Sequence, residues 1–587
     1  MAQAQLRNLN TVVNKFYGGM STDDYVGASD ASGSPMCFYD GSGIDIRSQA
    51  KYVTVSHNKP SVDTIWSHGT YGDIVAMIQT ALTEQAICTS QWYIFAWDLV
   101  QRKHTTAPIV NAFTYNGYGH VIKSDGKIDR WILSDSTPEH DTGVSTGWYT
   151  AWYADLWASI LFNSPYIIAA WYLYVGSGNK IYKADLSTAW YATITLSNII
   201  DVWFTIKAIT QIGDRFYIYA SDGTIGIQYL WSGSNVITWG NLSTIRWYDK
   251  PIVNVANINN VDYAIVWNPA RRSLYRVNGY QPDLLIQSKF IRNDFTSNDK
   301  FSFKPDAVNA IETIGNVIYI AGESCIYSWG HITAGLPDSC VREMRFNGQT
   351  PTLIQTDPFW QFNLYYFYQD NSSNIVRAAQ YIGKQTAGIW TDPGTIIFNP
   401  IISSLYSNEN GALKVRLGYD LPQKVAGIAQ GAINVYYKHD YNGEYTNFYI
   451  GTNSTTLPAI GDTYTYNAVT YKVYAVTSQT GNTTNYIIHC TRPDTYTDIQ
   501  DVNKVATTGT LTKSTGSWPA TIAFYRYTDG MQLIGTIDDE TTHKELFDVS
   551  DSNFQITFMV DLISYSTTSS PRLWDFVYAY QEIENDI

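Results

Sequence analysis

Short apolar runs that alternate with polar residues recur between about residues 60 and 400, and turn-forming residues separate them. A period of two is typical of half-buried strands, and Gly, Asn, Asp or Ser between two such runs predicts a β-hairpin. The clearest copies of this hairpin pattern are 171–186, 215–230, 263–277, 317–330 and 364–378. A weaker copy lies at 120–133.

The second strands of these hairpins open at a nearly regular interval. The openings lie 44 to 53 residues apart, at Ile128, Ile181, Ile225, Leu274, Ile326 and Ile375. This spacing, with one hairpin per unit, is typical of four-stranded propeller blades, and QWYIFAWDLV at 91–100 can supply a further unit. We predict an all-β protein in which residues 61–400 form a β-propeller of six to eight blades, with seven favoured. A run of β-sandwiches with similar hairpins is the alternative.

Two stretches near the N-terminus depart from this pattern. Residues 1–60 hold turn formers and scattered apolar residues, which predicts an extended lead-in before the first regular strand. Between residues 73 and 86, the apolar residues Ile74, Met77, Ile78 and Leu82 follow helical spacing. This window predicts the best amphipathic helix of a chain that otherwise has few helices.

The pattern changes again near residue 400. Alternating strands in 401–442 and 518–587 predict a β-sandwich, and the Thr-rich stretch 443–517 between them predicts a small inserted β domain. A long insertion at a surface loop is tolerated because the entropy of loop closure grows slowly with length.

Composition supports strands and disfavours nucleic acid. The 46 Tyr, 22 Phe and 19 Trp fit pleated, half-buried surfaces and exclude a disordered chain. A formal charge of −14 repels phosphate backbones. The pair Arg271-Arg272 is interpreted as two solvated arginines near a turn.

Cysteine usage and the apolar runs bear on the compartment. Five cysteines without a CxxC pair predict no disulfide framework and a reducing compartment. The N-terminus lacks the apolar core of a signal peptide, and the longest apolar run, at 165–175, is too short to span a bilayer. We expect a protein that folds in a reducing compartment and has no membrane span.

No catalytic or metal-binding motif appears. The sequence holds no HExxH, GxSxG or phosphate-binding loop, and His489-Cys490 has no second ligand pair nearby. Four carboxylates are candidates for a glycosidase-like pair at the propeller centre: Asp98, Asp125, Asp222 and Asp262. Asp125 and Asp222 each precede Gly, for which a turn role is favoured. We predict no enzyme, no cofactor, no metal and no catalytic residue.

The aromatic excess has two interpretations. Clusters at 147–153 and at Trp190-Tyr191 can stack on sugar rings of a cell surface. Propeller core and subunit interface are favoured, because aromatic residues dominate both kinds of buried surface.

Three segments resemble proteins of tailed-bacteriophage virions. The stretch 14–49 (NKFYGGM … GSGIDIRSQ) resembles the openings of phage propeller proteins. The stretches 458–476 (PAIGDTYTYNAVTYKVYAV) and 507–518 (TTGTLTKSTGSW) look like a small β module of phage structural proteins. The tail at 556–580 (ITFMVDLISYSTTSSPRLWDFVYAY) is similar to the closing strands of phage tail sandwiches.

The resemblance implies a virion structural protein of the tail, of the nozzle or hub type. It implies a homo-oligomeric ring that contacts other tail proteins (adaptor, fibres, tip), lines or caps the DNA-ejection channel, and lets DNA pass without specific binding. Two alternatives remain open: a receptor-binding tail protein or adhesin that contacts a host surface glycan through residues 400–587, and a polysaccharide-active enzyme.

Overall fold

The computed structural model of the chain is built from strands alone, with no helix among the residues it describes. The described residues are 5–14, 16, 19–20, 37–38, 40–46, 52–55, 58–67, 72, 74–79, 85–89, 93–96, 101–104, 108–116, 118–124, 128–132, 148–151, 165–187, 197–231, 242–248, 251–258, 261–268, 271–278, 281–287, 311–321, 325–331, 339–345, 349–356, 364–370, 375–381, 394–398, 401–402, 413–439, 443–451, 458–466, 469–478, 485–496, 507–513, 522–528, 531–539, 544–549, 555–565 and 569–584.

The N-terminal segment supplies strands to several distant sheets. Its strands are β1 (Gln5–Asn14), β2 (Gly19–Met20), β3 (Cys37–Phe38), β4 (Asp40–Ser42), β5 (Ile44–Asp45), β6 (Val53–Val55) and β7 (Asn58–Ser67).

Seven four-stranded antiparallel units follow, and we number them as blades 1 to 7; six of them are four-stranded sheets, and β2 and β3 extend the sheet of blade 6 in parallel. Blade 1 contains β8 (Ile74–Gln79), β9 (Gln85–Thr89), β10 (Tyr93–Ala96) and β11 (Gln101–His104). Blade 2 contains β12 (Ile109–Tyr115), β13 (Tyr118–Lys123), β14 (Ile128–Ile132) and β15 (Trp148–Ala151). Blade 3 contains β16 (Tyr166–Ala169), β17 (Tyr172–Ser177), β18 (Lys180–Asp185) and β19 (Ser197–Asp201). Blade 4 contains β20 (Thr205–Ile212), β21 (Arg215–Ser221), β22 (Gly226–Trp231) and β23 (Leu242–Tyr248).

The remaining blades complete the set. Blade 5 contains β24 (Ile252–Ile258), β25 (Val261–Asn268), β26 (Arg271–Asn278) and β27 (Gln281–Gln287). Blade 6 contains β28 (Ile311–Ile314), β29 (Val317–Ala321), β30 (Cys325–Gly330) and β31 (Ser339–Arg345). Blade 7 contains β32 (Gln349–Thr356), β33 (Leu364–Asp370) and β34 (Ile375–Tyr381), with β7 from the N-terminal segment as its fourth strand.

Contacts between neighbouring blades run around a ring. First strands contact each other between blades 1 and 2, 3 and 4, 4 and 5, 5 and 6, and 6 and 7, and β32 of blade 7 contacts β8 of blade 1. At this seam the side-chain amide of Gln355 accepts a hydrogen bond from the Met77 N–H at 2.8 Å and donates one to the Met77 carbonyl at 2.6 Å. Blades 2 and 3 meet through a buried cluster that includes Ile122 and Leu173. The predicted β-propeller is confirmed, with seven blades.

The repeat in the sequence marks the third strand of each blade. The openings at Ile128 and Ile375 begin β14 and β34, and the four between them lie in β18, β26 and β30 or directly before β22. The run at 91–100 holds β10, the third strand of blade 1.

The predicted helix over 73–86 is wrong. The window forms the hairpin of β8 and β9, with Ile78 opposite Ala86. All five residues from Ile74 to Ile78 are buried, because an innermost strand is covered on both faces. A short apolar run of this kind gives the same sequence signal as a buried helical segment.

The C-terminal part combines a sandwich with a closed barrel. Its strands are β35 (Gly394–Ile397), β36 (Ile401–Ile402), β37 (Leu413–Asp420), β38 (Gly431–His439), β39 (Gly443–Gly451), β40 (Thr463–Tyr466), β41 (Val469–Ser478), β42 (Asn485–Tyr496), β43 (Thr507–Lys513), β44 (Ile522–Thr528), β45 (Gln532–Ile537), β46 (Lys544–Val549), β47 (Gln555–Ser564) and β48 (Arg572–Glu584).

One sheet of the sandwich has the order β46-β37-β48-β6-β5, and β1 also pairs with β48. The other has the order β4-β35-β47-β38-β45, and β36 also pairs with β47. Aliphatic and aromatic residues fill the core between them, where Phe576 stacks on Phe398 with ring centroids 3.9 Å apart.

The inserted module is a barrel of six strands, β39 to β44, which lies between the neighbouring strands β38 and β45. It has a separate core around Phe448, Tyr471 and Ile488. The barrel ends at Thr528, beyond the predicted limit of 517, since β44 pairs with β39. The predicted boundary at 518 assigns β44 to the sandwich, whereas the structure places this strand in the barrel.

Residues 1–60 are more than the predicted lead-in. β1, β4, β5 and β6 are strands of the sandwich sheets, while β2 pairs with β31 of blade 6 in parallel. Sequence patterns identify alternating strands but not partners several hundred residues away. Likewise β35, inside the predicted propeller range, pairs with β47 of the sandwich.

Candidate functional site

Of the four carboxylates considered for a glycosidase-like pair, the two that the structure describes, Asp222 and Asp262, lie in different surroundings and form no pair. Asp222 lies in the exposed turn between β21 and β22, where its carboxylate accepts hydrogen bonds from the N–H groups of Thr224 and Ile225. These bonds hold the pKa of Asp222 below its usual value. Asp98 and Asp125 lie outside the described residues.

Asp262 is a buried structural group between blades 4 and 5. Its carboxylate accepts hydrogen bonds from Thr210 at 2.6 Å, Tyr219 at 2.5 Å and Asn257 at 2.6 Å. Burial raises the pKa of Asp262 although all three hydrogen bonds oppose that shift. Because the Asp262 carboxylate is fully buried and its hydrogen bonds come from both blades, the cluster joins blades 4 and 5.

His489 occupies a second buried polar cluster, at the junction of barrel and sandwich. Its Nδ1 lies 2.9 Å from Asn447 Oδ1, and its Nε2 lies 2.8 Å from Thr477 Oγ1. Burial lowers the pKa of His489 to about 3, so the imidazole is neutral. The neighbouring Cys490 is buried in the barrel core.

The same cluster continues into the sandwich. Thr477 Oγ1 lies 3.1 Å from Thr536 Oγ1, and the Thr536 hydroxyl donates to Asn434 Oδ1 at 2.8 Å. On the flank of the junction the Leu533 N–H donates to the Tyr474 hydroxyl at 3.0 Å. Directional bonds of this kind fix the orientation of the barrel on the sandwich, which burial of apolar area alone does not.

The N-terminal segment joins the propeller to the sandwich. The Gly43 N–H donates to the Arg342 carbonyl of blade 6, and the Val55 N–H donates to the Ser570 hydroxyl of the sandwich. Phe16 is fully buried against Phe38 and Phe398. The core cluster that holds these rings also includes Val341 of blade 6, so one core extends from the propeller into the sandwich.

Gly19 lies against the backbone of blade 6. Its φ is +65°, and a Cβ there would lie 2.6 Å from the carbonyl oxygen of Cys340. Both the backbone conformation and the missing side chain are therefore required for β2 to pair with β31.

Exposed aromatic residues occur at positions other than the two clusters considered in the sequence, whose interpretation stays a prediction. Trp148–Ala151 form β15, whose side chains fall outside the described part of the chain, as do Trp190 and Tyr191 altogether. Large exposed rings occur instead at Trp171, Trp203 and Trp247. Trp171 follows the turn residue Ala170 (φ 54°), and Trp203 lies in the linker from blade 3 to blade 4. The sequence feature that could have indicated these exposed rings was a Trp at the end of a strand or in a turn, rather than a cluster of aromatic residues.

Few other groups among the described residues could bind a metal ion or act as a nucleophile. No group of three or more His, Cys, Asp or Glu side chains in this part of the chain is placed to hold a metal ion. The described thiols Cys88 and Cys490 are buried, and burial raises their pKa. A search of the same residues finds no helix with the length and hydropathy needed to cross a membrane.

No protein-family model matches the chain, and no curated protein matches it in sequence. Among solved structures, the β-propeller domain of Cps50 (Swd1) from Myceliophteria thermophila is 10% identical with a TM-score of 0.36, over 55% of this chain and 99% of that one. The WD40 β-propeller domain of Doa1 is 11% identical with a TM-score of 0.37, over 55% and 97%. BamB from Moraxella catarrhalis is 11% identical with a TM-score of 0.33, over 58% and 95%.

Proposed function

We propose that this chain is a structural subunit of a bacteriophage tail, of the nozzle or hub type, in which several copies form a ring around the DNA-ejection channel. The observation that carries the proposal is the N-terminal segment, which pairs with blade 6, blade 7 and both sheets of the sandwich. A chain that extends one core across two domains resists their relative motion, as a tail component under the pressure of DNA ejection must.

The resemblance of residues 14–49, 458–476 and 556–580 to phage virion proteins supports the same proposal. All three segments lie in the N-terminal segment, the barrel or the sandwich, which are the parts added to the propeller. The formal charge of −14 suits a channel component that DNA must pass without sticking, because like charges repel.

Gold-labelled antibody raised against the full chain, applied to particles of the phage that encodes it, tests the proposal. Label on the tail of intact particles is the expected result, and its position distinguishes neck from distal tip. Particles that carry no label, while the same antibody detects the chain in the infected lysate, would exclude a virion component.

A further inference from the structure

We propose that the seam between blades 3 and 4 carries a binding site for a neutral saccharide, formed by Trp203, Phe204 and Trp247, which we call the aromatic ledge. The site goes beyond the proposed structural role and does not depend on it. Trp203 is 67% exposed and Trp247 is 50% exposed. Their ring centroids lie 6.2 Å apart at an interplanar angle of 51°, and Phe204 meets Trp247 edge-on at 6.2 Å.

The linker that carries Trp203 is held on both sides. The Val202 N–H donates to the Asn179 carbonyl at 2.8 Å, and the Ile206 N–H donates to the Gly178 carbonyl at 2.7 Å. The Asn179 side chain also donates to the Val202 carbonyl at 3.0 Å. Val202 and Ile206 are buried, so the exposure of Trp203 between them is imposed by an ordered linker.

The second ring is equally well fixed. Trp247 lies on β23 directly opposite Ile227 of β22, and residues directly opposite in an antiparallel pair share a face of the sheet. Ile227 belongs to the core between blades 3 and 4, against which Phe204 also packs. The rings therefore lose little conformational freedom when a ligand binds, which favours affinity.

The size of the ledge favours a small flat ligand. Two Trp residues exposed to this extent present roughly 300 Å², whereas a stable interface between copies takes about 800 Å² from each partner. A pyranose ring offers an apolar face of matching size, and its hydroxyl groups need polar partners at the rim. Exposed polar side chains are present on the adjoining segments, at Asn198, Asp201 and Thr205.

Charge selects among saccharides. Asp201 lies two residues before Trp203, but it stands directly opposite the exposed Lys180 in the pairing of β18 with β19. A rim with balanced charge gives no net attraction for sialylated, sulfated or phosphorylated glycans. The ligand class inferred is accordingly an uncharged polysaccharide or oligosaccharide.

Affinity electrophoresis of the full chain tests the site, in native gels that contain dextran, glycogen, galactomannan or xyloglucan, followed by titration calorimetry with a hexasaccharide of the retarding polymer. Retardation by at least one polymer is expected, with at least a tenfold loss of affinity in Trp203→Ala and in Trp247→Ala. Trp203→Phe should recover part of the loss, since a ring remains. Trp171→Ala is the matched control, because Trp171 is also 50% exposed on blade 3.

Three results would overturn the proposal. The first is retardation by none of the four polymers. The second is an equal loss in Trp171→Ala, which would show nonspecific adhesion. The third is a change in sedimentation velocity in the ledge variants without a change in retardation, which would identify the ledge as a contact between copies. Immunogold label on particles is unaffected by any of them, so the two proposals fail separately.

Discussion

Burial determines the protonation state of His489. The imidazole is fully buried between barrel and sandwich and accepts or donates only within the protein. In the unfolded chain the group titrates near 6.5, whereas in the folded chain its pKa is about 3. Between these values the unfolded state binds more protons, so stability rises with pH and is fully present above about 6.5.

We therefore expect the barrel–sandwich junction to lose stability as pH falls from about 6.5 towards 3, by roughly 3–5 kcal/mol at the acid limit. His489→Gln should cost about 1–2 kcal/mol at pH 7.5 through lost hydrogen bonds, and the gap to the native chain should narrow with acid. Thermal unfolding between pH 4 and pH 7.5 measures both. A gap that stays constant with pH would contradict the expectation, and Thr477→Val, which keeps the histidine, should retain the pH dependence.

Residue-level chemistry was only partly predictable from the sequence. The turn role of Asp222 follows from the Gly beside it, because the hydrogen bonds involved are local. The burial of Asp262 depends on Thr210 and Tyr219, which belong to another blade, and nothing adjacent to Asp262 signals them. The aromatic ledge has the same cause, since Trp203 and Trp247 meet only after two blades pack together.

Single strands and segments differ in how closely they fit their neighbours. Gly19 and Gly213 both have φ near +65°, yet a Cβ at Gly213 meets nothing within 4 Å, whereas one at Gly19 meets Cys340 and Ser339. The two positions separate the conformational cost of replacing glycine from the steric cost.

Gly213→Ala is expected to cost about 1 kcal/mol, the usual penalty of a left-handed alanine. Gly19→Ala should cost about 1–3 kcal/mol more, because the N-terminal segment must move away from blade 6. Chemical denaturation gives the energies, and hydrogen exchange at β2 and β31 locates the change. Equal costs for the two variants would show that the contact with Cys340 is not tight.

The barrel is inserted between two neighbouring strands of the sandwich. β38 and β45 pair directly, with Tyr437 opposite Gln532, so the barrel occupies the loop of an ordinary hairpin. The barrel core is separate from the sandwich core.

Replacement of residues 440–530 by a Gly-Asn-Gly-Ser loop should therefore leave the propeller and sandwich folded, since a short loop suits an antiparallel pair. Hydrogen exchange over blades 1 to 7 is expected to match that of the full chain. Loss of protection in the blades would mean that the barrel supports the ring.

At the scale of the whole molecule, the propeller and sandwich share one buried cluster, from Val341 of blade 6 to Phe576 of β48. Two domains with a common core should unfold together. Calorimetry of the full chain is accordingly expected to show one main transition for propeller and sandwich.

Phe576→Ala tests this coupling, since it removes a ring stacked on Phe398 and should cost about 3–5 kcal/mol. Hydrogen exchange should accelerate in β31 of blade 6 as well as in β48. Phe448→Ala in the barrel core is the matched control and should leave β31 protected. Acceleration confined to β48 would show that the two domains unfold independently.

The architecture was predictable from the sequence where its signals are local. Hairpins repeated at near-constant spacing gave the propeller, because each third strand follows its own turn. The prediction of a helix over 73–86 was wrong because an inner strand that is buried on both faces lacks the alternation of apolar and polar residues by which strands are identified. The prediction of an extended lead-in for residues 1–60 was incomplete because the strands with which they pair lie as far along the chain as β48.

The pairing of β1 with β48 places residues from opposite ends of the chain side by side, with Leu9 opposite Tyr580. β7 likewise meets its partner β34 only after every other blade has been made. During synthesis β1 and β7 therefore leave the ribosome long before their partner strands are made. Such long-range pairing is slow to form, and until β48 and β34 emerge these two strands have unpaired edges that can pair with other nascent copies.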